Sequence, residues 1–198
     1  MPMRGRWSPP TSMTLRRLFV AVLGVGLLSA EACKKEFKEF SPDGKFKVLM
    51  QGAPREDTQF ATGGEGQMGA FVKSWTVEQG EGAYSVSVTD LPGPHRPESD
   101  PVLDGAVRGL STGVGGTVTS NSKVTLGGKY PGRAFEGTVP KKSGVMQSRI
   151  YLVNDRLYQL LAIGKKSFVD SAEAARFLDS FQLLGDPGSA PAGAAGKN

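Results

Sequence analysis

Cysteine and histidine are almost absent from this chain of 198 residues, which contains one of each. A lone cysteine forms no internal disulfide, and one cysteine with one histidine cannot complete a zinc site. A histidine-based triad would have to use His95, which lies in the loop Gly93-Pro94-His95-Arg96-Pro97 with no serine or aspartate on a recognisable elbow. We therefore expect a protein that is not an enzyme, with no catalytic, cofactor-binding or metal-binding residues and no cofactor.

The clearest apolar run, residues 18–30, is too short to span a bilayer. It has thirteen residues, whereas a membrane-spanning helix needs about 20. Arg16 and Arg17 precede the run and small residues end it, which is the pattern of a secretory signal peptide. Residues 1–32 are thus predicted to be a signal peptide that begins at Met1 or Met13, and the mature protein is expected to be extracytoplasmic, in a periplasm.

The only cysteine, Cys33, follows this segment directly. Cleavage before Cys33 would leave a terminal cysteine that carries acyl chains, as in a lipoprotein. Ala30 departs from that pattern, since lipoprotein signals usually have leucine three residues before the cysteine. Ordinary cleavage after Ala30-Glu31-Ala32 is the alternative, and it would yield a secreted or soluble periplasmic protein. We favour a membrane-anchored lipoprotein with Cys33 as the lipidation site, because an exported protein seldom retains one unpaired thiol.

The net charge of +5 belongs mostly to the leader. Residues 1–32 carry four arginines and one glutamate, so their removal takes away a net three positive charges and leaves +2. A surface that follows nucleic-acid phosphates needs many clustered lysines and arginines. We therefore predict no nucleic-acid partner.

After Cys33 the pattern predicts one α+β domain over residues 42–184. Residues 33–41 form a tether and the start of a first hairpin, which turns at Ser41-Pro42-Asp43-Gly44. Residues 185–198 are Gly, Ala and Pro with little else, and are predicted to be a disordered tail. Further strands are predicted at residues 46–50, 70–78, 83–90, 117–126, 132–139, 146–153, 156–163 and 182–184, and loops at residues 51–69 and 91–99.

Two helices interrupt the strands. Asp100 before Pro101 is a suitable N-cap for the first helix, and the spacing of Asp170 and Glu173 resembles a capping box for the second. Residues 150–153 and 157–163 are almost continuously apolar, which is typical of strands that are covered on both faces. They are therefore expected at the centre of a sheet that is sandwiched between helices.

Several motifs that suggest chemistry have simpler explanations. Gly64-Glu65-Gly66-Gln67-Met68-Gly69 matches the dinucleotide pattern, but neither a strand precedes it nor a helix follows it, as phosphate binding requires. Asp90 and Asp104 are interpreted as surface charges rather than an acid–base pair. The aromatic side chains at positions 75, 84, 151 and 158 are interpreted as packing residues.

Four stretches of the chain are similar to parts of one known domain family. Residues 46–54, Phe-Lys-Val-Leu-Met-Gln-Gly-Ala-Pro, resemble the opening stretch of PsbP-like domains, although Gln51 stands where many relatives have proline. Residues 84–88 and 156–160 are placed like its mid-sheet strands, and residues 177–183 resemble its closing helix and strand. The stretch at residues 129–133 is also similar to small exported bacterial proteins of unknown role. The resemblance implies a mainly antiparallel sheet between helices and a non-enzymatic accessory role, and it carries no binding motif to this chain.

These features lead to the function that we expect. The protein is predicted to be an exported, lipid-anchored, non-catalytic accessory or protein-binding module. It would contact the membrane through an acyl anchor on Cys33 and an unknown envelope protein through the loops at residues 51–69 and 91–99. One alternative is a carrier of a small apolar ligand, and another is a carboxylate-dependent hydrolase.

Overall fold

A computed structural model describes residues 36–61, 69–91, 98–140 and 143–185. The predicted signal peptide, Cys33, residues 64–68 of the glycine motif, His95 and residues 186–198 lie outside these ranges. The described part of the chain from residue 36 falls within one compact unit. It contains ten strands and three helices, and none of these helices is long and apolar enough to cross a membrane.

A seven-stranded antiparallel sheet forms most of the structure. In spatial order its strands are β3 (Arg55–Ala61), β4 (Ala70–Gln79), β5 (Gly82–Asp90), β9 (Arg156–Gly164), β8 (Gly144–Val153), β7 (Tyr130–Val139) and β6 (Thr117–Leu126). β9 has three strands on either side, and β8 is its neighbour. The prediction that the two most apolar strands lie at the centre is therefore confirmed, and Asn154, with φ of 54°, forms the tight turn between them.

A second, small sheet consists of β1 (Phe37–Phe40), β2 (Phe46–Gln51) and β10 (Gln182–Leu183), with β2 in the middle. β1 and β2 form the predicted hairpin. At its turn the side chain of Asp43 accepts a hydrogen bond of 2.9 Å from the backbone of Lys45, and Gly44 has φ of 68°. Alternate residues of β2 are buried, because one face of this small sheet packs on the large one.

The three helices are α1 (Ser99–Gly113), α2 (Lys166–Val169) and α3 (Ala172–Asp179). Two apolar layers fill the space around the large sheet. On one face, Leu103 and Val107 of α1 pack on β7, β8 and β9. On the other face, the small sheet and α3 pack on β4, β5 and β9, with Phe46 in contact with Trp75, Tyr158 and Phe181.

The expectation that helices cover both faces was therefore too simple. The antiparallel sheet is as expected, but one face is covered largely by strands, with α3 beside them. Continuous apolar strands show that both faces need cover. They do not show whether that cover is a helix or a second sheet.

Residues 55–61 were expected in a loop and instead form β3. All seven residues of β3 are exposed, yet they pair with β4 from Arg55 opposite Thr76 to Ala61 opposite Ala70. The side chains of β3 contact β4 only at the surface, where Glu56 binds Trp75 and Lys73 and Phe60 packs on Phe71, so none of them is buried. This strand consequently has no apolar alternation by which the sequence could reveal it.

Both helix starts differ slightly from the prediction. α1 begins at Ser99 with no side-chain cap at Glu98, so Asp100 lies within the helix, where it binds Lys123 and Arg133. The cap of α3 is Ser171, whose hydroxyl oxygen accepts a hydrogen bond of 3.1 Å from the backbone of Ala174. The capping residue is thus one position later than expected.

Candidate functional site

A polar groove of about 360 Å³ lies on the sheet face that α3 and the small sheet leave partly open. Its floor is formed by β6, β7 and β8, and the last residue of α3 borders it. The side chains that matter for its chemistry are those of Ser120, Ser122, Glu136, Arg149, Tyr151 and Asp179. Carboxylates, a guanidinium and hydroxyl groups therefore share one open site.

The strand register places these side chains together. Ser122 of β6 lies opposite Ala134 of β7, which in turn lies opposite Arg149 of β8. In the next row towards the end of β8, Val124 and Gly132 lie beside Tyr151. Because residues two apart on a strand share a face, both rows belong to the groove.

Small residues on β7 leave space for the groove above this strand. A Cβ atom at Gly132 would lie 2.6 Å from the ring of Tyr151 and 2.4 Å from the backbone oxygen of Ile150. Real Cβ atoms do not approach other heavy atoms so closely. Glycine at position 132 therefore makes room for the Tyr151 ring at the bottom of the groove.

Tyr151 is the most informative residue of the site. Its ring stacks on Phe181, with ring centroids 5.8 Å apart, and the residue is 1% exposed. Every fully enclosed side-chain nitrogen or oxygen in the described ranges has a hydrogen-bond partner. No described residue hydrogen-bonds to the Tyr151 hydroxyl, so this hydroxyl must border the groove.

The other two buried tyrosines have a polar side chain that opposes the effect of burial. Burial raises the pKa of Tyr84 while Ser171 lowers it, and burial raises the pKa of Tyr158 while Arg156 lowers it. Burial raises the pKa of Tyr151, whereas nearby Arg149 lowers it and Asp179 raises it further. The Tyr151 phenol is consequently protonated at neutral pH and can donate a hydrogen bond into the groove.

Arg149 and Asp179 form a loose ion pair at one side of the groove. Their closest nitrogen and oxygen atoms are 3.6 Å apart, which is too long for a hydrogen bond. The two side chains are 29% and 42% exposed. Within the described part of the chain, the guanidinium therefore keeps hydrogen-bond donors that are available to a ligand, while Asp179 and the exposed Glu136 offer acceptors.

The two aspartates considered in the sequence bind different arginines. Asp90 accepts hydrogen bonds of 2.6 and 3.0 Å from Arg156, and these bonds lower the pKa of Asp90. Asp104 accepts a bond of 2.8 Å from the buried Arg133. Arg133 also binds Asp100 at 2.8 Å, so this cluster connects α1 to β7. Both clusters join elements of the fold and lie apart from the groove-lining residues.

The sequence did not single out the groove residues. It predicted that Tyr151 packs in the core, which is correct for its ring, but the free hydroxyl was missed. The available signal was Arg149, a charged residue that directly precedes the apolar run from Ile150 to Val153 in β8. Within the four described ranges, no group of three or more histidine, cysteine or acidic residues is arranged to hold a metal ion.

Comparisons with known proteins find a likeness of fold only. No family model matches the chain, and no curated protein matches it. Among solved structures, it is similar to the cyanobacterial PsbP of Synechocystis sp. PCC 6803, with 9% identity and a TM-score of 0.49 over 81% of this chain and 96% of that one.

A second similar structure is a protein of unknown function from Pseudomonas aeruginosa. The identity is 7% and the TM-score 0.37, over 71% of this chain and 90% of the other. The cyanobacterial protein bears the name of the family that the sequence motifs resemble. At such low identities and TM-scores the likeness carries no information about what this chain binds.

Proposed function

We propose that this chain is a non-catalytic binding module, exported and held at the outer face of a membrane by lipidated Cys33, and that its partner occupies the groove. The observation that carries the proposal is the Tyr151 hydroxyl. This hydroxyl borders the open groove and has no partner among the described residues, so in the empty groove it binds water. A partner that enters the groove can replace that water with its own hydrogen bond, which is the reason to place the partner there.

The charge pattern of the groove suits a partner that has both donors and acceptors. Arg149 and the protonated Tyr151 donate, whereas Glu136 and Asp179 accept. A protein segment has both kinds of group in its backbone and polar side chains. An apolar ligand would leave these polar groups unpaired, which costs free energy, so the groove does not favour the carrier alternative.

The sequence supports the anchor, and β1 begins a few residues after it. Since β1 begins at Phe37, only three residues separate it from Cys33. Four residue steps span at most about 14 Å of extended chain. A lipidated Cys33 would therefore keep the start of β1 close to the membrane surface.

Metabolic labelling with a fatty-acid analogue tests the anchor. The intact protein should incorporate label and sediment with membranes, whereas Cys33→Ser should do neither. Label retained in Cys33→Ser would exclude lipidation at this residue. A mature protein that begins at Cys33 or later without lipid would point to ordinary cleavage.

Site-specific photocrosslinking in living cells tests the binding site. A photoreactive amino acid replaces Ser122 or Glu136 in the groove, and Thr58 is replaced as the control. Thr58 is also an exposed position on an edge strand, but it lies on β3 at the other end of the sheet. The groove positions should yield one discrete adduct, and Thr58 should not. Equal adducts from all three positions, or none from the groove, would contradict the proposal.

A further inference from the structure

β6 is an edge strand with an open side. It is the last strand of the seven, and no strand in the described part of the chain pairs with its outer edge. Seven of its ten residues are exposed, and its sequence is Thr-Val-Thr-Ser-Asn-Ser-Lys-Val-Thr-Leu. It contains no proline and one charged residue, Lys123. Such an edge offers a row of backbone hydrogen-bonding groups to another chain.

The opposite edge is protected in ways that β6 is not. β3 follows Pro54 directly and starts with three charged residues, Arg55, Glu56 and Asp57. Proline and charges on an edge are common devices against strand pairing. On β6, the one charge is bound at 2.6 Å by Asp100 of α1, which holds it on the face away from the groove.

The regular part of β6 lies directly beside the groove. The pairing of β6 with β7 shifts between Val118 and Ser120 and is regular from there to Leu126. Ser120 and Ser122 face the groove. A strand added to β6 would lie about 4.8 Å outside it, with every second side chain on the groove face.

We infer that β6 accepts an extended segment of the partner protein as an additional strand, whose alternate side chains enter the groove. In this mode of recognition the backbone bonds supply affinity and the pockets for alternate side chains supply specificity. The inference rests on the proposed function, because it names the form in which the partner occupies the groove.

The register also predicts one preferred side chain. Ser120 lies opposite Glu136, so the added residue beside Ser120 is two strand spacings, about 10 Å, from the strand of Glu136. A lysine or arginine side chain covers most of that distance and meets the glutamate carboxylate. We therefore expect a basic residue at this position of the partner segment.

The probe for the test is a phage-displayed library of random ten-residue peptides, which is selected on the mature protein purified from expressing cells. Selected peptides should carry a lysine or arginine at one fixed position. Binding of a selected peptide should slow amide hydrogen exchange in β6 at least tenfold and leave β3 unchanged. Ser122→Lys, which adds a charge on the groove side of the edge, should weaken binding at least tenfold, while Thr58→Lys on β3 should not.

Other outcomes separate this inference from the proposed function. A selected peptide that binds without slowing exchange in β6 would overturn strand addition, and so would a failure to select any peptide. If the adduct from Ser122 in cells persisted in either case, the groove would remain the binding site and only its mode of use would be wrong. Loss of both the peptide and the adduct would reject the two together.

Discussion

Replacing Tyr151 with phenylalanine removes one oxygen atom from the bottom of the groove and leaves the buried ring in place. Loss of a hydrogen-bonded tyrosine hydroxyl usually costs about 0.5–1.5 kcal/mol. The Tyr151 hydroxyl has no hydrogen bond to a described residue, so this cost is absent. We expect the free energy of unfolding of Tyr151→Phe to stay within about 0.5 kcal/mol of the unmodified protein or to rise slightly.

Tyr84→Phe is the matched control, since both tyrosines are 1% exposed and the Ser171 side chain is close enough to the Tyr84 hydroxyl to lower its pKa against the effect of burial. It should lose about 1 kcal/mol, which lowers the melting temperature by about 2–4 °C in a domain of this size. Urea unfolding of the purified mature proteins, followed by far-UV circular dichroism, measures both variants. If Tyr151→Phe were destabilised as much as Tyr84→Phe, the hydroxyl would have a structural partner and the reason for placing a ligand in the groove would be lost.

Three further predictions concern stability. Phe46→Ala removes the ring at the middle of an aromatic cluster and should lower the free energy of unfolding in urea by about 3–5 kcal/mol. A decrease below about 1 kcal/mol would show that this cluster does not hold the two sheets together. Gly109 lies within α1, and nothing lies within 4 Å of a Cβ added there, so Gly109→Ala should stabilise the folded protein by about 0.5–1 kcal/mol. Gly132→Ala should destabilise it. The reverse order of the two melting temperatures would contradict the close packing under Tyr151. Hydrogen bonds from Arg156 lower the pKa of Asp90. The stabilisation from this pair is therefore present above about pH 4 and is lost as the pH falls through the folded pKa of Asp90. The urea midpoint should fall more steeply in acid for the unmodified protein than for Arg156→Met, and parallel curves would refute this.

Features of the fold that depend on burial could be predicted from the sequence. Residues 150–153 and 157–163 are apolar on both faces, and they lie at the centre of the sheet. The alternation of Phe46, Val48 and Met50 likewise predicted a strand with one buried face. In these segments the hydrophobic pattern is a direct consequence of the position in the structure.

The groove could not be predicted, because it depends on which strands are neighbours. Arg149 and Asp179 are thirty positions apart in the sequence, and they meet only where α3 ends over β8. Ser122 reaches the same site through the register of two hairpins. β3 was missed because all its side chains are exposed, so no apolar alternation marks the strand.

The central claim is that the Tyr151 hydroxyl is kept for a partner in the groove. Its most direct test is the yield of the photocrosslinked adduct from position 122 in cells, compared between the unmodified protein and Tyr151→Phe at equal protein level. Loss of one hydrogen bond worth about 1 kcal/mol should reduce the affinity for the partner about fivefold. Because occupancy follows affinity when the partner is scarce, the yield of the adduct should then decrease as well. An undiminished adduct over a range of expression levels would contradict the account.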